Sequence, residues 1–308
     1  MKILITGCGG QLGSDCITVL RGGHELIPLT SRELDITDLK KVEQVIQRVR
    51  PAYILNCAAF TNVDACESQR ETAWNVNVEG PRNLALVTEQ YRIHLAHIST
   101  DYVFDGRRRS LEGYRESDET APQSYYGETK VAGERAIREI TDRYMVVRTA
   151  WMYGVHGRNF PGTMLRLAYN DPEREIKVVN DQYGSPTWSL TLAMQLERLI
   201  IAGGQGIYHA TAEGYGTWYE CARYFLEKMD VPYRLVPCSS ADYPTPARRP
   251  RNSILENDRL KAERITVMND WRQDMDRYVE RYRQRLLSEA REIKIFEGKA
   301  TDRENPRL

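Results

Sequence analysis

The first twenty residues narrow the possible folds more than any other stretch. Lys2-Ile3-Leu4-Ile5-Thr6 is a short apolar run of the kind a buried parallel strand uses, and Gly7-Cys8-Gly9-Gly10-Gln11-Leu12-Gly13 follows it directly. From Gln11 to Leu20, the apolar residues Leu12, Cys16, Ile17, Val19 and Leu20 fit a helix with one buried stripe, ended by Gly22-Gly23. A glycine-rich string alone describes a flexible loop equally well. With strand, turn and helix in that order, backbone N–H groups and the helix dipole can hold a pyrophosphate, so nucleotide binding is the expectation.

The same rhythm continues through the first half. Glu25–Leu29 and Tyr53–Cys57 read as strands with a helix near residues 38–48 between them. Further strands are expected at 93–98 and 144–148, with helices near 70–91 and 125–140. This is the βαβ pattern of an α/β, Rossmann-type doubly wound parallel sheet. After Trp151 the pattern gives way to loops rich in Gly, Asn and Pro. A helix is expected over 187–202, where Leu190, Ala193, Leu196 and Ile200 share a face. From Trp271 onward, Met275, Tyr278, Tyr282 and Leu286 recur at helical spacing among many charges, as in a solvated amphipathic helix, and residues 298–308 read as frayed.

Composition bounds the function classes. The 308 residues carry 43 basic and 43 acidic side chains, a balance that argues against a general nucleic-acid or anionic-membrane binder. Met1 leads straight into the first strand, and no apolar stretch approaches the roughly 18 residues needed to span a bilayer, so the expectation is a cytoplasmic chain. Cys8, Cys16, Cys57, Cys66, Cys221 and Cys238 form no Cys-x-x-Cys pair and cluster with no histidine. They read as reduced structural thiols, with no metal expected.

Tyr126 and Lys130 stand four residues apart at the start of an expected helix, so their side chains share one face. An ammonium beside a phenol stabilises the phenolate, which suits proton transfer near neutral pH. Such a pair alone also fits an exposed helix surface. Together with Gly7-x-x-Gly10-x-x-Gly13 and an intervening Thr100, however, it resembles the extended short-chain dehydrogenase/reductase family. Ser99-Thr100-Asp101-Tyr102-Val103-Phe104, Arg148-Thr149-Ala150-Trp151-Met152-Tyr153-Gly154, Asn180-Asp181-Gln182-Tyr183-Gly184-Ser185-Pro186-Thr187 and Tyr243-Pro244-Thr245-Pro246-Ala247-Arg248-Arg249-Pro250-Arg251-Asn252-Ser253 narrow this to the dTDP-4-dehydrorhamnose reductases, which the chain resembles from Met1 to about Tyr282.

The resemblance implies a smaller C-terminal α/β substrate-binding lobe built from 151–186 and 213–285. It also implies that 187–212 returns to the nucleotide domain of 1–150, leaving 286–308 as a charged extension. Gly7, Gly10, Gln11, Leu12 and Gly13 would meet the cofactor pyrophosphate, with Asp35 and Ile36 near adenine, Ala58, Ala59 and Phe60 at a close-approach turn and Asn77 in support. Thr30-Ser31-Arg32 stands where an acidic residue would favour NADH, and Arg32 could pair with a 2′-phosphate, so NADPH is expected with NADH also accepted. Tyr126 is the implied proton donor, Thr100 the orienting hydroxyl, and Lys130 the residue that lowers the Tyr126 pKa and holds the nicotinamide ribose. Thr61, Val63, Thr100, Asp101, Tyr102 and Trp151 would line a deoxysugar and thymidine pocket, with Asn159, Arg248 and Arg249 toward the diphosphate. One of the two arginines is equally open to a structural ion pair.

The sequence departs from the pattern in two places. Leu190 stands where some members carry a glutamate that helps bind a dimer-bridging magnesium, and leucine cannot ligate a hard cation. Either a monomer or a homodimer is therefore compatible. Arg107-Arg108-Arg109 falls in a slightly lengthened stretch and reads as solvated. Two alternatives stay open: another sugar-nucleotide reductase or epimerase, and a non-enzymatic regulatory subunit on the same fold, similar to the regulatory partner of methionine adenosyltransferase. The joint presence of Thr100, Tyr126 and Lys130 favours an enzyme.

Overall fold

The structure is a computed structural model that describes residues 1–108 and 111–297. Arg109 and the end expected to fray, 298–308, lie outside the described residues. In chain order the elements of the first half are β1 (Lys2–Thr6), α1 (Gln11–Leu20), β2 (Glu25–Leu29), α2 (Leu39–Val49), β3 (Tyr53–Asn56), α3 (Val63–Ser68), α4 (Arg70–Trp74), α5 (Gly80–Tyr91), β4 (His94–Thr100), α6 (Tyr125–Ile140) and β5 (Tyr144–Thr149). The second half contributes β6 (Met152–Tyr153), α7 (Phe160–Asn170), β7 (Glu175–Val179), β8 (Tyr183–Gly184), β9 (Thr187–Trp188), α8 (Ser189–Ala202), β10 (Gly206–His209), β11 (Gly216–Thr217), α9 (Trp218–Met229), β12 (Arg234–Cys238), α10 (Asp258–Ala262) and α11 (Trp271–Glu297).

Six parallel strands form the main sheet in the order β10-β5-β4-β3-β1-β2. Its central strands read as continuous apolar runs because both faces are covered. On one face α1 and α8 pack together over Ile3, Ile5, Leu55 and Val147; on the other, α2, α5 and α6 cover Leu4, Ile54, Leu95 and Val146. The order reverses at β1, so Thr6 and Asn56, paired in register, open a crevice at the carboxyl ends of β1 and β3.

The second lobe has its own core, in which α7, α9 and α11 pack around Tyr153, Trp188, Phe225 and Tyr278. Met275, Tyr278, Leu286 and Ala290 of α11 are buried there, so the expected solvated helix is solvated on its outer face only. The parallel pair β7–β12 and the parallel pair β6–β9 flank this core.

Residues 70–91, expected as one helix, divide into α4, a π-helical turn over Asn75–Glu79 and α5. The wider turn leaves the backbone of Asn77 against α6, where a Cβ on Gly133 would stand 2.3 Å from the Asn77 carbonyl oxygen. Single π turns of this kind often accompany functional sites, and this one sets the position of Asn77.

Candidate active site

The glycine turn is shaped for close approach. Gly7 adopts φ +64°, and the Gly10 N–H donates to the Gly7 carbonyl at 3.0 Å. Gly10 caps α1 without a side-chain acceptor, and the first turn of α1 holds no acidic residue. The N–H groups of Gln11 and Leu12 therefore face the turn with the helix dipole uncompensated, which suits an anionic pyrophosphate. Gly13 packs so tightly that a Cβ there would lie 2.5 Å from the Gly7 carbonyl oxygen. Gly13→Ala is accordingly expected to cost about 1–3 kcal/mol by overpacking and to weaken NADPH binding, as read by urea unfolding and fluorescence titration.

The remaining cofactor candidates surround this turn. Arg32 is exposed just past β2, near the glycine turn, since the Cys8 N–H donates to the Leu29 carbonyl. Asp35 is exposed and its carboxylate accepts from the Thr37 backbone and hydroxyl, at 2.9 and 2.8 Å. Ile36 is buried against Gly80, and the buried Asn83 amide donates to the Ile36 and Thr37 carbonyls at 3.0 Å each. Asn77 holds the Phe60 backbone from both sides: its Oδ1 accepts from the Phe60 N–H at 2.8 Å and its Nδ2 donates to the Phe60 carbonyl at 3.1 Å. The same Nδ2 reaches the Thr129 hydroxyl at 3.1 Å, tying the 58–60 turn to α6 beside Lys130. Ala58 is itself held by Asn56 Oδ1 at 3.1 Å.

Thr100 ends β4, and Tyr126 and Lys130 stand one turn apart at the start of α6. Ser124 caps α6 by accepting from the Gly127 N–H at 3.2 Å, which sets where the helix starts and so where Tyr126 points. The Tyr126 ring is buried with Cys66, Ala73 and Val63 and meets Tyr102 edge-on at 5.6 Å. Burial pushes its phenol above the ordinary value, opposed by a hydrogen bond with the Thr100 hydroxyl and reinforced by the Asp101 charge. The expected depression of the phenol by Lys130 is not found: the lysine is turned onto β4, where its Nζ donates to the Ile98 carbonyl at 2.7 Å and meets His97 Nε2 at 3.2 Å. Lys130 itself is brought down to about 8 by burial, against the raising effect of Glu134.

The substrate candidates fall into separate groups. Asp101 is buried beside Thr100, whose hydroxyl donates to its Oδ1 at 2.9 Å, and burial raises its carboxyl to about 6. Tyr102 borders the same spot through its contact with Tyr126. Trp151 adopts φ +44°, stacks on Trp218 with ring centroids 3.5 Å apart, and donates from Nε1 to the Ser253 hydroxyl at 3.1 Å. Val63 opens α3 near Tyr126, while Thr61 just before it is exposed. Asn159 caps α7 and donates to Gln11 Oε1 at 3.0 Å, which places it against the glycine turn. Arg249 forms a two-point ion pair with Asp64, each contact 3.1 Å, so of the two arginines it is the one with a structural partner; Arg248 is exposed. Leu190 is buried in the second core, and no cluster of metal-ligating side chains exists among the described residues.

A family model described as the RmlD substrate binding domain matches residues 1–284. The chain belongs to this family. A dTDP-4-dehydrorhamnose reductase of Streptomyces griseus is 42% identical over 277 residues, covering 87% of this chain and 90% of the relative. A dTDP-4-keto-6-deoxy-D-glucose reductase of Streptomyces niveus is 41% identical over 271 residues, covering 87% and 93%. Among solved structures, a dTDP-4-dehydrorhamnose reductase from Bacillus anthracis in complex with NADP is 36% identical and superposes with a TM-score of 0.88 over 91% of this chain and 99% of that one.

Several residues of this RmlD-family chain that shape the crevice escape a reading of its sequence. His97 and Asn56 are polar residues inside apolar strands, a signal that calls for an explanation. Ser253 closes the Pro- and Arg-rich run that begins at Tyr243, but its bond to Trp151 spans about a hundred residues. Trp218 and Asp64 carry no local signal at all, since their partners Trp151 and Arg249 lie far away in the chain.

Proposed function

We propose that the chain reduces the 4-keto group of dTDP-4-dehydro-6-deoxy-L-mannose (dTDP-4-dehydrorhamnose) with NADPH, giving dTDP-L-rhamnose. The observation that carries this reading is the contact between the Thr100 hydroxyl, at the carboxyl end of β4, and the Tyr126 phenol, with Lys130 one turn further along α6. NADPH fits the residues present, with Gly7, Gly10, Gln11, Leu12 and Gly13 toward the pyrophosphate, Arg32 toward the 2′-phosphate and Ala58, Ala59 and Phe60 along its course. Bound there, it supplies the hydride.

The side chains handle the rest of the reaction. A ketone gaining an electron pair builds negative charge on oxygen, and the protonated Tyr126 phenol delivers the proton to that oxygen. Thr100 orients the same oxygen by turning toward it the single hydroxyl proton that otherwise goes to Asp101 Oδ1. Lys130 holds the ribose side of the site and restores the proton to Tyr126. Trp151 and Tyr102 offer flat faces to the deoxysugar, and excluding water there strengthens each polar contact. Thr61, Val63, Asn159 and Arg248 are proposed to meet the rest of the sugar nucleotide, whereas Arg249 positions α3 through Asp64. The enzyme is proposed to act in the cytoplasm as a monomer or homodimer.

Loss of NADPH absorbance on adding dTDP-4-dehydrorhamnose, followed by identification of the product, tests the proposal. The Streptomyces niveus relative gives a second reading, in which dTDP-4-keto-6-deoxy-D-glucose is the better substrate, so both sugars belong in the assay. Absence of turnover with either, despite tight NADPH binding, would overturn enzymatic function and favour a regulatory subunit. Arg32→Ala is expected to raise KM for NADPH roughly tenfold with little change for NADH, since only the former presents a 2′-phosphate.

A further inference from the structure

A chain of buried hydrogen bonds runs from the 58–60 turn to Lys130. Its direction follows from one donor that has no choice. The Ala58 backbone N–H can only donate, and its partner is Asn56 Oδ1 at 3.1 Å, which also accepts from the Thr6 hydroxyl at 2.6 Å. The Asn56 amide is thereby oriented, with its Nδ2 hydrogens toward His97 Nδ1 at 2.8 Å. An amide nitrogen also only donates, so Nδ1 must accept. His97 is fully buried, and burial together with the nearby Lys130 charge pushes it well below its ordinary value, leaving the ring neutral. Its one proton is then on Nε2, the atom that faces Lys130 Nζ at 3.2 Å.

An ammonium has no lone pair to receive that proton, whereas a neutral amine has one. We infer that His97 is a positioning residue for the reaction, one that presents its Nε2–H to Lys130 and ties the charge of that lysine to the hydrogen bond between Asn56 and Ala58. With a neutral amine every group in the chain is satisfied: Lys130 accepts from His97 and still donates to Ile98 at 2.7 Å. A charged Lys130 needs the other ring nitrogen protonated, hence a reversed Asn56 amide, and the half-buried Ala58 N–H would then face a donor.

The charged neighbours leave His97 this influence. On α6 itself Glu134 lies one turn beyond Lys130, but Arg148 of β5 engages both of its oxygens at 3.0 and 2.7 Å, and Ser99 of β4 bonds it at 2.5 Å. Asp101 and Tyr102, after β4, and Cys66, on α3, surround Tyr126 on the same helix. The side chain that meets the lysine amine directly is His97.

This inference rests on the proposed role of Lys130 in the reductase, and its test separates the two. In the full-length protein, 15N-histidine NMR reads the His97 tautomer, the ring being assigned by through-bond correlation to the backbone. Above the Lys130 titration, at pH 9, a neutral ring protonated at Nε2 is expected; protonation at Nδ1 at that pH overturns the inference, even if the variant fails to fold. In His97→Gln the side-chain oxygen can accept from an ammonium, so the Lys130 titration, followed by 13Cε-lysine NMR, should move up from about 8 by roughly one pH unit or more. The pH profile of kcat should move with it. An unmoved lysine midpoint overturns the inference whatever the activity; a moved midpoint in the variant, while the native protein oxidises no NADPH, sustains it and sinks the proposed reductase instead.

Discussion

Replacing Tyr126 by phenylalanine is expected to lower kcat for NADPH oxidation by roughly 10²–10⁴-fold, the contribution typical of a positioned general acid. The ring packs among Cys66, Ala73 and Val63 and edge-on to Tyr102, so phenylalanine keeps these contacts and loses only the hydroxyl. NADPH affinity should be retained, which separates a chemical defect from a binding defect. Burial raises the phenol above its ordinary value, so the proton is in place through the neutral range and is available for donation. Stopped-flow measurement of a single turnover reads the chemical step directly. A variant with native turnover would move the proton source to another group, and Asp101 is the nearest carboxyl, brought up to about 6 by burial.

Replacing Arg148 by methionine is expected to cost about 3–5 kcal/mol of folding stability, seen as a lower urea midpoint. Arg148 and Glu134 have side chains only 2% and 4% exposed, and two hydrogen bonds join them. Removing the guanidinium would leave the Glu134 carboxylate buried with Ser99 as its remaining partner. Arg148 also lies over the Phe104 ring at 5.2 Å, so some packing is lost as well. The double variant Arg148→Met/Glu134→Gln should recover much of the loss, because no unpaired charge remains. Equal destabilisation of the single and double variants would mean that packing, rather than charge, holds this part of α6 to β5.

The features readable from the sequence are those whose cause is local. Strands of the main sheet announce themselves through apolar runs such as Lys2–Thr6 and Tyr53–Asn56, because buried parallel strands need apolar residues on both faces. The glycine turn is legible because a left-handed Gly7 and a Gly13 without room for a Cβ can be met by one residue type. Two residues at helical spacing, Tyr126 and Lys130, are legible for the same reason. The π-helical turn at Asn75–Glu79 is not, since a helix that widens for one turn keeps an almost unchanged apolar period. Trp151 on Trp218, Arg249 on Asp64 and Lys130 on His97 are equally hidden, because each partner lies on a different element and even a polar His97 within an apolar strand does not say which residue it meets. The last of these matters most for chemistry: the spacing of Tyr126 and Lys130 suggests an isolated pair, whereas the lysine is held from the strand beneath.

The order of the main sheet also bears on how the chain is made. Its edge strand β10, residues 206–209, pairs with β5, residues 144–149, after the chain has crossed through α7 and back along α8. A growing polypeptide leaves the ribosome from its amino terminus, at about 5–20 residues per second. The nucleotide half therefore emerges with β5 as an open edge, and that edge stays unpaired for several seconds while residues 150–205 are synthesised. An exposed parallel edge is a template for wrong partners. The dangerous interval in the life of this protein thus falls during translation, and synonymous codon changes that slow elongation across 150–205 would lengthen it without altering a single amino acid.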